Sequence, residues 1–572
     1  MRKFAICIIT IIYLTITVSA SFADIQINDV YAKNAMVAAA DKRASEAGVE
    51  IMKKGGNAID AAVATALALH VVEFNASGVG GGGFMTIRLA KTGEVICLDY
   101  REMAPASATK DMFASEQSKK ERWSVNGGKA VGVPGYIKGM FYALEKYGTM
   151  SFAEVAAPAI RLAENGFSVT PLMSYLISDN YEKLAEYNDV SKLPFIVNEF
   201  PIEGGKILKQ PAVAKLLRLF AEKGPDVLYN GVVGEAIIHA VNNSGGSMTM
   251  EDLKNYKTFV RKPVYGTYRG YRIYSVPPAS SGGTHVIQLL NIMENFDVKA
   301  MGQGTPKFAH IWAEATKLAF ADRSKYMADT AYTKVPLKGL QSKEYAKTLV
   351  EKIDRNKIAD KVSAGDPWKY EDTPQHAYIG GMGSEYISTT TYSVVDKSGN
   401  MVTATNTVNN AMGSKIYVPE YGIVLNNQMD DFAKNPKSVN APEPGKRMLS
   451  SVSPSIVLTP DGKPFMSIGS AGGPRIITSV AQVLMNVIDH EMTMDEAIEQ
   501  GRFFNQIGTL LRVDLGRVKQ TILDILTLEG YKIDFWDPPH LGGTVQAIMI
   551  DPATGVLDGG ADSRRPGAPV GL

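Results

Sequence analysis

Hydroxyl side chains crowd one stretch of this sequence: Ser388, Thr389, Thr390 and Thr391, then Thr403, Thr405 and Thr407. A threonine hydroxyl becomes a nucleophile only when a base takes its proton, so what each hydroxyl faces decides its use. Two β-branched alternating runs, 389–396 and 401–408, flank Lys397, Ser398 and Gly399. This predicts a hairpin with a three-residue loop and glycine where a left-handed residue is wanted. If Asp396 faces Asn400, Thr407 lies opposite Thr389, give or take one residue for a bulge. Facing residues hold their Cβ atoms about 4.5–5.5 Å apart, near enough for a hydroxyl–hydroxyl hydrogen bond. On pattern alone, a plain threonine-rich edge hairpin is the simpler reading.

Other chemistries find less support. The glycines from Gly78 to Gly83 fit the G-x-G-x-x-G spacing, but a dinucleotide loop follows a strand and opens a helix. Here a helical stretch precedes and a strand follows, so the glycines read as backbone that something approaches closely. Among seven scattered histidines only His310 pairs at helical spacing with an acid, Glu314, and neither H-E-x-x-H nor C-x-x-C occurs. No metal is expected, and no Gly-x-Ser-x-Gly elbow serves a serine esterase. Cys7 falls in an apolar leader. Cys97, within the apolar run Val95-Ile-Cys-Leu98, reads as a buried strand residue and not as a thiol nucleophile.

The elements that must position these groups form a mixed pattern. Helical spacing covers 41–54, 57–72, 151–217 and 306–329, and helical patterns dominate the first two thirds of the chain. Strands are expected at 84–89 and 95–100. Residues 366–384 are rich in turn formers and read as an exposed loop or linker. Strands follow at 389–396, 401–408, 456–459 and 464–468, then helices at 475–488 and 494–499. Such interleaving predicts an α/β or α+β fold with substantial layers of each. The chain has 572 residues, 45% apolar and 21% charged, with 60 basic against 59 acidic. That balance leaves no electrostatic footprint for nucleic acid. Arg2 and Lys3, the apolar run 5–18, and the small residues closing at Ala20 or Ala23 read as a secretory signal peptide, too short to span a bilayer.

At the threonine segment the sequence resembles the γ-glutamyltranspeptidase (glutathione hydrolase) family of N-terminal-nucleophile hydrolases. The resemblance runs through the chain beyond the leader. It is carried by Gly55-Gly-Asn-Ala-Ile-Asp-Ala-Ala62, Gly80-Gly-Gly-Gly-Phe-Met85, Asp99-Tyr-Arg-Glu-Met-Ala-Pro105, Pro277-Pro-Ala-Ser-Ser-Gly-Gly283 and Ala313-Glu-Ala-Thr-Lys-Leu-Ala-Phe-Ala-Asp-Arg323. Residues 389–395, Leu425-Asn-Asn-Gln-Met-Asp-Asp431, Leu449-Ser-Ser-Val-Ser-Pro454, Gly469-Ser-Ala-Gly-Gly473 and Asp562-Ser-Arg-Arg565 complete the set, in the family's order.

The resemblance implies an α+β fold, a four-layer αββα sandwich, from one precursor that cuts itself between Ser388 and Thr389. Residues 1–23 would be the signal peptide, 24–388 the heavy chain and 389–572 the light chain. The freed Thr389 would be the nucleophile, with Thr407 hydrogen-bonded to it and the Gly472 and Gly473 N–H groups as oxyanion hole. Arg101, with Ser450 and Ser451, would hold a substrate α-carboxylate. Asn409, Gln428 and Asp431 would surround its α-amino end. The implied activity is transfer of γ-glutamyl groups, from glutathione above all, to water or to an amino-acid or peptide acceptor. It would need no cofactor, and the leader reading places it in a periplasm or outside. Its partners would be small γ-glutamyl molecules and its own two chains, with no nucleic acid and no stable membrane insertion. Two rival readings stand beside it: an acylase acting on β-lactam side chains or poly-γ-glutamate, and an uncleaved exported binding protein. Two departures are visible. Thr391 stands where the family commonly has histidine, and residues 431–450 are short compared with members that carry a lid loop, which suggests an open site.

Overall fold

The computed structural model describes residues 28–373, 379–381, 388–536 and 543–572. The leader reading at 1–23, with Cys7, Ala20 and Ala23, lies outside them, as do parts of the 366–384 stretch.

The threonine hairpin consists of strands Thr390–Val395 and Met401–Thr407. Thr390 pairs with Asn406 and Val395 with Met401, the register set by Asp396 facing Asn400. The turn explains itself chemically. Gly399 takes φ +82°, and Asp396 Oδ1 accepts the Ser398 and Asn400 N–H groups at 2.9 and 3.0 Å. Asp396 Oδ2 accepts the Ala58 N–H at 2.9 Å, where a helix N-terminus favours an anion.

The hairpin is central and not an edge. Its sheet runs, edge to edge, Ala568–Gly571, Met36–Ala39, Thr390–Val395, Met401–Thr407, Gly82–Arg88, Val95–Asp99 and Phe259–Arg261. A second seven-stranded sheet runs Val30–Ala32, Leu557–Ala561, Thr544–Ile550, Pro464–Ala471, Ser455–Leu458, Tyr271–Ser275 and Val264–Tyr268. Every pairing in both sheets is antiparallel. The sheets stack face to face, and hydroxyls cross the gap: Ser393 Oγ donates to Gln546 O at 3.0 Å, Ser467 Oγ to Val402 O at 3.0 Å. Buried hydroxyls need such partners.

Helices cover both outer faces. Lys42–Lys53 and Ala58–Val72 pack on the first sheet, Gly282–Met293 and Arg475–His490 on the second. The result is an αββα sandwich. All of Ala58–Val72 is buried, which accounts for its alanines: a helix hidden on every side needs small apolar residues all round. Its start is fixed by a capping box between Asn57 and Asp60. Among the described residues no helix is long and apolar enough to cross a membrane.

The structure corrects two expectations. Strands Val264–Tyr268 and Tyr271–Ser275 lie in the part read as dominated by helices; the first is an edge strand and the second its neighbour, both partly exposed, so their apolar alternation is weak. The 366–384 stretch is not wholly an exposed loop either. Pro367–Tyr370 forms a 3-10 turn with Pro367 and Trp368 buried, because the indole packs into the core around Tyr345.

Candidate active site

Thr389 stands just before the central strand, buried, with its Oγ1 3.0 Å from Thr407 Oγ1. The Asn409 N–H donates to Thr407 Oγ1 at 2.7 Å, which leaves Thr407 its hydrogen and one lone pair for Thr389, so either hydroxyl can be the donor of the pair. With Thr407 as donor, the pair would stabilise negative charge on the Thr389 oxygen. Thr389 has φ +135°, a conformation β-branched residues rarely take. On its C-terminal side, Arg565 Nη1 donates to Thr389 O at 2.5 Å, and Thr390 Oγ1 donates to Glu73 Oε2 at 2.5 Å. Burial raises the Glu73 carboxyl above its ordinary range, although Arg565 stands 3.8 Å away and opposes the shift.

Glycines make the close approaches. A Cβ on Gly81 would meet Thr407 O at 2.1 Å and one on Gly83 would meet Thr405 O at 2.3 Å, so the glycine run is backbone packed against backbone, beside Thr407. In the other sheet a Cβ on Gly469 would strike Thr391 Oγ1 at 2.3 Å. Thr391 donates to Ala404 O at 2.9 Å, so this departure from the family pattern lies between the sheets. Together with the Ser467–Val402 bond, that contact brings Thr389 and the Gly472–Gly473 turn to the same end of the sandwich. Gly472 has φ +128° and Gly473 φ +60°, values only glycine adopts freely. The pair precedes helix Arg475–His490, where N–H groups have no partner within the helix.

A polar trail leads from the threonines to charge. Asn409 Nδ2 donates to Asn427 O at 3.1 Å. The next residue, Gln428, donates through Nε2 to Asp431 Oδ2 at 2.9 Å, and Arg101 Nη2 donates to the same oxygen at 2.5 Å. Arg101 and Asp431, expected to hold opposite ends of one substrate, here hold each other. Arg101 is 1% exposed and the Asp431 side chain 17%. Burial raises the Asp431 carboxyl while the Arg101 charge lowers it. Next to Arg101, Glu102 was missed by sequence reasoning. Its two carboxylate oxygens are buried with no hydrogen-bond partner among the described residues. Burial pushes its carboxyl up to about 7, opposed by Arg101 at 3.7 Å.

Ser450 and Ser451 are also buried, and Ser451 Oγ accepts from Arg323 Nη2 at 2.8 Å. The short 431–450 stretch folds back as wall: Asn440 Nδ2 donates to Asp431 O at 2.9 Å, and its Oδ1 accepts the Leu449 N–H at 3.1 Å. This ties the serine pair to Asp431. Elsewhere, Cys97 is a buried strand residue with its thiol pushed up to about 12 by burial. His310 and Glu314 both meet the Tyr531 hydroxyl, at 3.0 and 3.2 Å.

Comparison with known proteins gives one consistent match. The family model described as gamma-glutamyltranspeptidase matches residues 44–572. The "Glutathione hydrolase proenzyme" of Escherichia coli (strain K12) is 42% identical over 549 residues, covering 94% of this chain and 91% of that one. The protein of the same name from Bacillus subtilis (strain 168) is 40% identical over 544 residues, covering 94% and 92%. Among solved structures, a cephalosporin acylase from Bacillus halodurans superposes with a TM-score of 0.85 at 30% identity, over 96% of this chain and 97% of that one.

Proposed function

This chain belongs to the γ-glutamyltranspeptidase family, and on that premise we propose a mechanism in which Thr389 first cuts its own chain and then turns over γ-glutamyl amides. The enzyme is a glutathione hydrolase and γ-glutamyltransferase. The observation that carries the mechanism is the buried Thr389–Thr407 hydroxyl pair at 3.0 Å.

In the unbroken chain the Thr389 nitrogen is an amide and no base. Its hydroxyl attacks the Ser388 carbonyl, and the peptide bond gives way to an ester that water opens. The new α-amino group has an ordinary pKa of about 7.7–8.0, suited to accept the hydroxyl proton near neutral pH. Thr389 then attacks the γ-carbonyl of substrate, and the leaving amine takes the proton back. Thr407 hydrogen-bonds the nucleophile, and the Gly472 and Gly473 N–H groups steady the oxyanion; one such donor is typically worth ~10²–10³ in rate. Substrate binding exchanges partners: the α-carboxylate replaces Asp431 on Arg101, and the α-ammonium takes Asp431 with Gln428 and Asn409. Ser450 and Ser451 complete the carboxylate site. Water or an amino-acid or peptide amine then takes the acyl group. The shortness of 431–450 favours access of either, and the leader reading at 1–23 supports export.

Thr389→Ala tests this directly. On a denaturing gel the variant should run as one uncut chain without glutathione turnover, whereas the parent gives a smaller fragment whose sequence begins at Thr389. Two normal fragments from Thr389→Ala would sink the mechanism. A single uncut band from the parent would instead favour an exported binding protein. The acylase superposition favours a second reading, turnover of side-chain amides lacking an α-amino group. Faster turnover of a glutaryl amide than of glutathione would select it, since a glutaryl head leaves Asp431 unused.

A further inference from the structure

Arg323, on helix Pro306–Tyr326, is buried behind the serine pair. Its Nε donates to Ser281 Oγ at 2.8 Å and its Nη2 to Ser451 Oγ at 2.8 Å. Ser281 Oγ spends its own hydrogen on Ser450 O at 2.7 Å, and the Ser281 N–H donates to the same carbonyl at 2.8 Å. Ser450 Oγ accepts the Val452 N–H at 3.2 Å.

A serine hydroxyl owns one hydrogen, and a guanidinium only donates. Both Ser450 and Ser451 therefore receive a donor from the protein on their oxygens. No acceptor for either hydroxyl hydrogen stands among the described residues. Each is left to donate outward, which suits an anion. Without the donors behind them the same hydroxyls could turn their lone pairs outward and repel a carboxylate. The guanidinium is itself held in place by its helix. The neighbouring Asp322 accepts from Gln288 Nε2 at 2.6 Å, from Tyr345 OH at 2.7 Å and from the Gly365 N–H at 2.8 Å.

We propose that Arg323 is a positioning residue that sets the Ser451 hydroxyl as an outward hydrogen-bond donor, holds the Ser450 main chain through Ser281, and so sets the preference for substrates bearing an α-carboxylate. This rests on the reading of the serine pair as carboxylate contacts.

Steady-state kinetics on γ-glutamyl p-nitroanilide and 4-aminobutyryl p-nitroanilide, which differ only by that carboxylate, tests it. In Arg323→Met the preference for the carboxylated substrate should fall ~10- to 100-fold, carried in KM rather than kcat. Arg323→Lys, with charge but no fork, should restore part of it. If both substrates slow together and the preference survives, Arg323 is a structural residue only and the proposal is overturned. Should the methionine variant fail to accumulate, Arg323→Lys and Arg323→Gln carry the same comparison. Ser451→Ala separates the two ideas. If it keeps the preference, the serine pair does not hold the carboxylate and the underlying reading fails. If it loses the preference while the Arg323 variants keep it, only the role of Arg323 fails.

Discussion

Thr389 is strained at the place where the proposed cut falls. A positive φ on a β-branched residue costs on the order of 1–3 kcal/mol, and the torsion spans the Ser388–Thr389 bond, so cutting that bond abolishes it. In the proposed mechanism the hydroxyl gains from Thr407 in both reactions. Thr407→Val, nearly the same shape without the donor, should lower kcat on γ-glutamyl p-nitroanilide ~10- to 100-fold with KM little changed. An unchanged kcat would remove Thr407 from the mechanism. Glu102 makes a prediction about pH. Its folded carboxyl titrates at about 7, above the ordinary value, so the folded chain holds a proton that the unfolded chain has lost. Its contribution to stability is therefore complete below the ordinary carboxyl range and lost as pH rises through about 7. Melting of Glu102→Gln should fall less between about pH 5 and pH 8 than melting of the parent; parallel curves would contradict this. From sequence, Thr407 was legible as the partner of Thr389 because alternation and one turn glycine set the register. Glu102 was not: a glutamate beside an arginine looks like any surface pair until burial is known.

At the scale of elements, short-range order was readable and long-range docking was not. Helices Lys42–Lys53 and Ala58–Val72 and the strand pair at the hairpin fall within a residue or two of their expected ends, because caps, alternation and turn chemistry are local. The Arg101–Asp431 contact joins residues 330 positions apart, and no periodicity announces it. The same holds for the ion cluster around Asp562. It accepts from Arg502 Nη2 at 2.7 Å, Arg564 Nη1 at 2.9 Å and the Val545 N–H at 3.0 Å, and Arg564 continues to Asp514 at 2.5 Å. Burial would raise the Asp562 carboxyl, but the two guanidiniums hold it well below the usual range. Its stabilisation is thus present at neutral pH and lost only in strong acid. Asp562→Asn leaves two buried cations short of an anion and should destabilise by ~3–5 kcal/mol in denaturant titrations at neutral pH. It should also loosen the adjacent Arg565 grip on Thr389 O. A loss under about 1 kcal/mol would mean the cluster is well hydrated.

At the scale of the whole molecule, the cut at 388–389 would not divide the fold into halves. The hairpin 390–407 lies between strands Met36–Ala39 and Gly82–Arg88, and Tyr271–Ser275 pairs with Ser455–Leu458 in the other sheet. Gel filtration of fully cut protein should therefore show one particle of the parent's size, with two chains visible only after denaturation; separation under native conditions would refute the interleaving. This interleaving also changes what refolding means. The precursor assembles both sheets as a single chain, in a first-order process indifferent to dilution. Once cut and unfolded, the chains must find each other, so recovery becomes second order and the melting temperature acquires a concentration dependence. A cut enzyme would thus be made by a route it cannot easily retrace, and its persistence would depend on how slowly it unfolds.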